Sequence, residues 1–246
     1  MPTSVDKSPN RIRQMFGQIA GRYDLLNRLL SLGIDRSWRR RTVRLVPPSA
    51  AGMVLDVCTG TADLALGYWR RGRGAVRVVG ADFCHPMLAL GRRKCQRAGA
   101  GDQVTLVEAD AQNLPFPDDA FEVVSIAFGL RNLQDPDRGL CEMARVCRPG
   151  GRVAVLEFSL PRSRPLRAIY GWYFRRLVPW IGQALARNRQ EAYNYLPASV
   201  GEFPQGEALA ERMRQAGLSD VRCHRFTFGI ATLYVGTKCS ATSSSP

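Results

Sequence analysis

Histidine is scarce in this chain, paired cysteines are missing and acid is in short supply. Only two histidines occur in 246 residues. The seven cysteines, at positions 58, 84, 95, 141, 147, 223 and 239, are odd in number and form no C-x-x-C pair. That pattern supports neither a metal site nor a disulfide framework, and it suits a reducing cytoplasm. No stretch reaches the ~18 apolar residues of a membrane-crossing helix. The opening MPTSVDKSPNRIRQMF has no apolar centre of the kind a secretory signal needs. Repeats and low-complexity tracts are absent. The 21 Asp and Glu stand against 35 Lys and Arg, a formal charge of +14. Such an excess points to an anionic partner, nucleic acid or a membrane surface, or else to a surface simply loaded with arginine.

What is present is an alternation of strands and helices. Residues 11–31 carry Ile12, Met15, Phe16, Ile19, Leu25, Leu26, Leu29 and Leu30 at helical spacing, and Pro47–Pro48 close this part. Residues 1–48 are therefore expected to form an N-terminal helical cap. Over 49–240, strands are expected at 53–57, 76–81, 104–108, 121–127, 152–158, 220–228 and 231–237. Helices are expected at 62–71, 86–98, 138–147 and 205–216. This rhythm predicts an α/β fold with a mostly parallel seven-stranded sheet and helices on both faces. The last two strands are closely joined, so one of them runs antiparallel. A basic aromatic insertion at about 160–200 breaks the rhythm, and 241–246 reads as a disordered tail.

Ligands of such sheets sit beyond the carboxyl ends of the strands. The stretch VLDVCTGTADLAL ends a strand at Asp56 and turns at Gly60-Thr61-Ala62. A dinucleotide turn wants G-x-G-x-x-G to approach a pyrophosphate, and the third glycine is missing. S-adenosylmethionine carries no phosphate, so it needs close backbone approach without a phosphate cradle. Asp56 and Gly60 suit that ligand. Asp82 ends the next strand about 20 residues beyond the turn, where an acid accepts hydrogen bonds from ribose hydroxyls. Glu108-Ala109-Asp110-Ala111 follows the third strand, within reach of an adenine edge. A lone strand-end acid is as readily a helix cap; three in order are harder to dismiss.

Four segments in order, MFGQIAGRYDLLNRLLSLGIDRSWRR, VLDVCTGTADLAL, LPFPDDAFEVVSIAFGLRN and CRPGGRVAVLEFS, resemble the menaquinone and ubiquinone biosynthesis C-methyltransferase family. The resemblance runs from about residue 11 to residue 238. It implies a class I methyltransferase, Rossmann-like fold, S-adenosylmethionine as donor and a polyprenylated quinol as acceptor. Demethylmenaquinol is the favoured acceptor, with a methoxy-benzoquinol of ubiquinone synthesis as the alternative. Thr61, Asp82, and Asp110 with Ala111 match the family's donor-binding positions. Two positions depart from it. Ala62 stands where the family usually has glycine, at a cost of about 1 kcal/mol if the position needs positive φ. Ala127 stands where some members have a serine that contacts the donor.

The chemistry adds further candidates. A quinol ring carbon becomes a nucleophile when a hydroxyl loses its proton, and a phenol titrates near 10 in water. Arg131, in FGLRN beyond the fourth strand, is expected to stabilise the phenolate, and Asn132 to orient a quinol oxygen. The bland reading of Arg131 is a surface ion pair. Tyr23 and Asp24 lie in a helix suited to cover the site, and Asp24 or a water is the expected proton acceptor. The competing reading of Asp24 is helix packing. His85, just before Pro86, suits a helix entry better than catalysis. No metal is called for. The acceptor's isoprenoid tail requires contact with a membrane, and residues 160–190 hold seven Arg and no acid among Trp, Tyr and Phe. That composition suits an interfacial lid or a packed insertion. The expected setting is cytoplasmic, peripheral on the inner face of the membrane. A homo-oligomer is compatible with the sequence. An RNA methyltransferase is the alternative that high charge favours, although no nucleic-acid-binding module is visible. A donor-binding protein without catalysis is the third reading.

Overall fold

The structure is a computed structural model, and it describes residues 6–161, 163–172 and 199–239. Two helices lead the chain, α1 (Pro9–Ser31) and α2 (Asp35–Leu45). Ser8 and Pro9 open α1, with proline at a position whose N–H has no helical partner anyway. Leu32 (φ 51°) and Gly33 (φ 75°) stop it in the left-handed region. The sequence places one or two helices over 11–31; α1 covers that span as one helix. α2 is a separate element. Its sequence, DRSWRRRTVRL, is nearly half arginine, so its buried face of Trp38, Thr42 and Val43 gives a weak apolar signal.

The alternation then follows as β1 (Met53–Val57), α3 (Asp63–Arg71), β2 (Arg77–Asp82), α4 (His85–Arg97), β3 (Val104–Glu108) and β4 (Phe121–Ala127). After it come α5 (Pro136–Val146), β5 (Cys147–Phe158), α6 (Arg164–Trp172), α7 (Glu207–Gln215), β6 (Leu218–Phe226) and β7 (Ala231–Lys238). α5 starts earlier than the sequence suggests, because the Asp135 carboxylate caps the Arg138 N–H and Pro136 follows it. β5 also starts early: Cys147 pairs with Phe121 before a register shift, and Arg152 pairs with Val123 after it. Of the basic aromatic insertion, Trp172 at the end of α6 is described. Tyr173, Phe174, Arg175, Arg176, Leu177, Val178, Trp180 and Ile181 lie outside the described residues, as does the tail 241–246.

Among the described residues the strands form one sheet in the order β3-β2-β1-β4-β5-β7-β6. β1 to β5 are parallel, and β7 inserts antiparallel between β5 and β6. Both faces are covered, so β1 reads as a continuous apolar run. Val54 packs with Trp38, Leu64 and Leu88 on one face. Leu55 and Val57 pack with Leu140, Met143 and Met213 on the other. The order reverses at β1 and β4, so the crevice beyond their carboxyl ends is where a ligand belongs.

Candidate active site

The turn after β1 is built from alternating left-handed residues: Cys58 (φ 51°), Gly60 (φ 57°) and Ala62 (φ 66°). Ala62 thus occupies the conformation that glycine adopts freely, and α3 starts only after it, at Asp63. The loop beyond β4 comes very close to this turn. A Cβ on Gly129, beyond β4, would lie 2.5 Å from the Cys58 Cβ, so only glycine fits there.

Asp82 holds this turn from the end of β2. Its two carboxylate oxygens accept the Gly60 N–H at 2.8 Å and the Cys84 N–H at 2.9 Å. Burial pushes its carboxyl up to about 6, against the lowering effect of the Cys84 and Gly60 N–H groups. Asp56 sits below. It accepts the Thr59 hydroxyl at 2.7 Å and the Ser125 hydroxyl at 3.1 Å, and burial pushes it up to about 7. Asp56 shares the parity of Val54 along β1, which turns its side chain into the sheet's packing and away from the ligand crevice.

A cleft of about 840 Å³ opens above the turn. Gly60, Asp82 and Phe83 line one side. Asp110, Ala111 and Gln112 line the end beyond β3, and Ala127, Phe128, Gly129 and Asn132 the side beyond β4. α1 roofs it with Pro9, Ile12, Arg13, Phe16 and Tyr23, preceded by Lys7. The Tyr23 ring stands edge-on to Phe16 at 6.0 Å, and burial raises its hydroxyl pKa. Burial likewise lowers the Lys7 ammonium pKa. The Asp110 carboxylate accepts the Gln112 N–H at 2.9 Å, which fixes the bend after β3.

The structure therefore brings Tyr23, Gly60, Asp82, Asp110, Ala111 and Asn132 together around one cleft. It places four other expected residues differently. Asp56 lies beneath the turn, as described. Thr61 gives its hydroxyl to Asp24 at 2.6 Å. Asp24 also takes Lys94 at 2.9 Å, and Lys94 pairs with Asp63 as well. Burial pushes the Asp24 carboxyl up, but Thr61 and Lys94 more than reverse this and hold it below the usual carboxylate range. A carboxylate so paired is a weak base, a reason against the proton-accepting role expected of it.

Arg131 is buried in a short 3-10 turn at Leu130–Asn132. Its guanidinium pairs with the buried Glu157 at 2.9 Å, donates to the Phe128 carbonyl at 2.5 Å and lies 5.2 Å from the Phe158 ring centroid. Its Nε–H is buried with no hydrogen-bond partner among the described residues. The surface ion pair that the sequence leaves open for Arg131 is thus a buried one. Asn132 donates to the same Phe128 carbonyl at 3.2 Å. Trp38, Phe128 and Phe158 stack around this corner with centroids 4.4–6.0 Å apart. His85 is outside the cleft lining and pairs with Glu108 at 3.0 Å, as a helix-entry residue would. Lys7, Arg13, Phe83 and Gln112 also line the cleft outside the motifs, and Phe128 lines it as the first residue of FGLRN, where only Arg131 and Asn132 carry an expected role.

The lining fits an adenosyl ligand. A buried strand-end carboxylate faces the cleft, a turn with no side chain at Gly60 allows close approach, and a second acid, Asp110, stands at the end beyond β3. A sheet of this order with this site defines a class I S-adenosylmethionine-dependent methyltransferase. A solved SAM-dependent methyltransferase of Thermotoga maritima shares the fold, with a TM-score of 0.63, 18% identity, and 92% and 98% of the two chains covered. The ubiE/COQ5 methyltransferase family model matches residues 4–238. A ubiquinone/menaquinone biosynthesis C-methyltransferase of Geobacter sulfurreducens is 49% identical over 228 residues, 93% of this chain and 88% of that one. A demethylmenaquinone methyltransferase of Thermus thermophilus is 50% identical over 224 residues, 91% of this chain and all of that one. The chain belongs to the ubiE/COQ5 methyltransferase family and is an S-adenosylmethionine-dependent C-methyltransferase.

Proposed function

We propose that the protein methylates a ring carbon of a polyprenylated quinol, converting demethylmenaquinol to menaquinol, with a methoxy-benzoquinol as the alternative acceptor. The observation that carries this reading is the likeness, over nearly the whole chain, to relatives named for this step. The corner beside the cleft supports it: a buried cation and an amide meet at the Phe128 carbonyl, next to stacked aromatic rings.

Bound S-adenosylmethionine supplies an electrophilic methyl group. Asp82 holds the ribose hydroxyls, while Asp110 and the Ala111 backbone meet the adenine edge. Tyr23, on the roof above Gly60, excludes water from the reacting centre. Asp56, Thr61 and Asp24 fix the shape of the turn and its roof rather than touch the donor. Asn132 orients a quinol oxygen. Arg131, which keeps its proton and lies behind the Phe128 carbonyl beside the cleft, stabilises the phenolate through its positive charge. A water takes the phenolic proton. Alignment of two reactants in a roofed cleft supplies several kcal/mol of the barrier, so no strong base is needed.

The isoprenoid tail stays in the bilayer, and the protein works as a peripheral enzyme at the membrane surface. No helix among the described residues is long and apolar enough to cross a membrane. The ring choice is tested by incubating the pure protein with labelled donor and dithionite-reduced short-tailed naphthoquinol or benzoquinol. Label in the naphthoquinol product is expected. Label in the benzoquinol alone moves the enzyme to ubiquinone synthesis, and label in RNA but in neither quinol defeats the reading.

A further inference from the structure

A second concavity lies on the far side of the glycine turn, between α1, α2, α3 and α4. It is an open groove of about 1510 Å³ lined by eight arginines and Lys94 against one acid, Asp63. Arg28 comes from α1, Arg36, Arg40 and Arg44 from α2, Arg70 from α3 and Arg97 from α4. All six are exposed. Arg36, Arg40 and Arg44 follow each other at four-residue spacing, so they form one stripe along α2. The single acid is already taken by Lys94, and Arg39 is paired with Asp35. None of the six arginines named makes an ion pair with an acid among the described residues. Arginines gathered from four helices repel one another, and a concave surface focuses their field on an anion.

The partner's chemistry is indicated by what borders the groove. Leu25 and Leu29 on α1 are exposed by 50 and 40%, and Leu32, in the left-handed cap just after it, by 78%. Arg28, three residues beyond Leu25, shares that residue's helical face. Leu45, 42% exposed, adjoins Arg44 on α2. A single-stranded nucleic acid wants aromatic rings to stack on, and none lines the groove among the described residues. Bare leucines interleaved with arginines are the pattern of a surface that lies in a lipid interface.

We propose that this groove and its leucine rim form a docking surface for anionic phospholipid headgroups, independent of the basic aromatic insertion. The proposal rests on the lipid-borne acceptor of the proposed function for its purpose, but its own test is membrane binding. The same helix serves both sites: the first part of α1 roofs the cleft, and Arg28 near its end lines the groove. Docking there brings the cleft's roof to the membrane that holds the acceptor. Lys94 links the two sites further, because it lines the groove and holds Asp24, which takes the Thr61 hydroxyl.

The test uses the full chain in flotation with vesicles of phosphatidylcholine alone and of phosphatidylcholine mixed with phosphatidylglycerol. Binding is expected to the anionic vesicles, weakening as salt rises. The triple variant Arg36→Glu, Arg40→Glu, Arg44→Glu is expected to bind them at least tenfold more weakly, since each basic residue near an anionic surface contributes about fivefold. The pair Arg212→Glu, Arg214→Glu on α7, which packs on the opposite face of the sheet, is expected to bind as the unaltered protein does. Calorimetry with S-adenosylmethionine, unchanged in the triple variant, shows that it is folded. A milder Leu32→Ser variant reads the leucine rim, with weaker binding expected at every salt concentration. Equal binding to both vesicle types, or full binding by the triple variant, overturns the proposal. So does tighter binding of a short RNA that the same triple variant loses. Methyl transfer to a short-tailed quinol without vesicles is measured alongside. Its failure in the unaltered protein strikes the proposed function and leaves the vesicle result to decide the groove.

Discussion

Replacing Asp82 with asparagine separates the donor site's chemistry from its architecture. The carboxylate accepts two backbone N–H groups, one from Gly60 and one from Cys84. An amide of the same shape has one oxygen and one NH2, so one N–H must face another donor. Losing that charge-assisted bond costs about 1.5–3 kcal/mol. Burial outweighs both N–H groups: the net effect raises the carboxyl from 3.8 to about 6, so the fold disfavours the charge by about 3 kcal/mol with those bonds already counted. Removing the charge relieves that cost, and Asp82→Asn should fold at least as stably as the unaltered protein. Donor affinity has no such compensation. The ribose hydroxyls lose a charged acceptor, which predicts about 2–3 kcal/mol, roughly 30- to 150-fold. The pH dependence is the sharper signature. A carboxyl raised by folding favours the folded state below its unfolded pKa, and this gain disappears as pH rises through about 6. Donor binding has the reverse sign because it needs the ionised form. Calorimetry from pH 8 to pH 5 should show constant affinity above about 7 and weakening toward tenfold per pH unit below about 6. The asparagine variant should be flat between pH 5 and 7. A flat unaltered protein, or a variant of undiminished affinity, refutes the assignment of Asp82.

The other predictions concern the turn, the roof and the buried pair. Ala62→Gly trades relief of left-handed strain, about 1–2 kcal/mol, for chain entropy and one buried methyl, and should change stability by less than about 1 kcal/mol. Ala62→Val puts a β-branched residue at the same φ beside Gly91 and should destabilise by more than about 2 kcal/mol; equal melting temperatures for the two variants contradict this. Asp24→Asn should lower kcat by less than about tenfold, because Lys94 and Thr61 already hold that carboxylate; a loss of a hundredfold with pH-dependent rescue restores it as the base. Arg131→Ala leaves Glu157 buried without its partner and should cost about 3–5 kcal/mol of stability. The double variant Arg131→Met, Glu157→Gln should regain much of that stability, keep donor affinity and remain inactive, as separate melting, binding and turnover measurements will show.

The parts of this molecule legible in the sequence were those with short-range causes. The place of Asp82 beside the turn was readable because it ends the strand that follows the turn's helix. The roof was readable in outline because residues 11–31 repeat at helical spacing. Asp56 was harder. It also ends an apolar run, but β1 is covered on both faces, so alternation along the strand carries no label for which side holds ligand. The Arg131–Glu157 pair joins two crossings of the chain through adjacent strands, and neither residue's neighbours point to the other. The groove is the extreme case. Its arginines come from four helices spread over residues 28–97, and each alone reads as an ordinary solvated charge. β7 was legible as one arm of a closing hairpin, yet its place between β5 and β6 depends on packing that no local pattern encodes.

The most direct test of the quinol chemistry compares one acceptor in two redox states. The pure protein is given labelled S-adenosylmethionine and a short-tailed demethylmenaquinone, once after dithionite reduction and once oxidised under otherwise equal conditions. Only the quinol forms a ring-nucleophilic phenolate, so label is expected in the reduced acceptor and at background in the oxidised one. Equal transfer to both forms would mean that no phenolate is needed, and the roles given to Arg131 and Asn132 would fall with it.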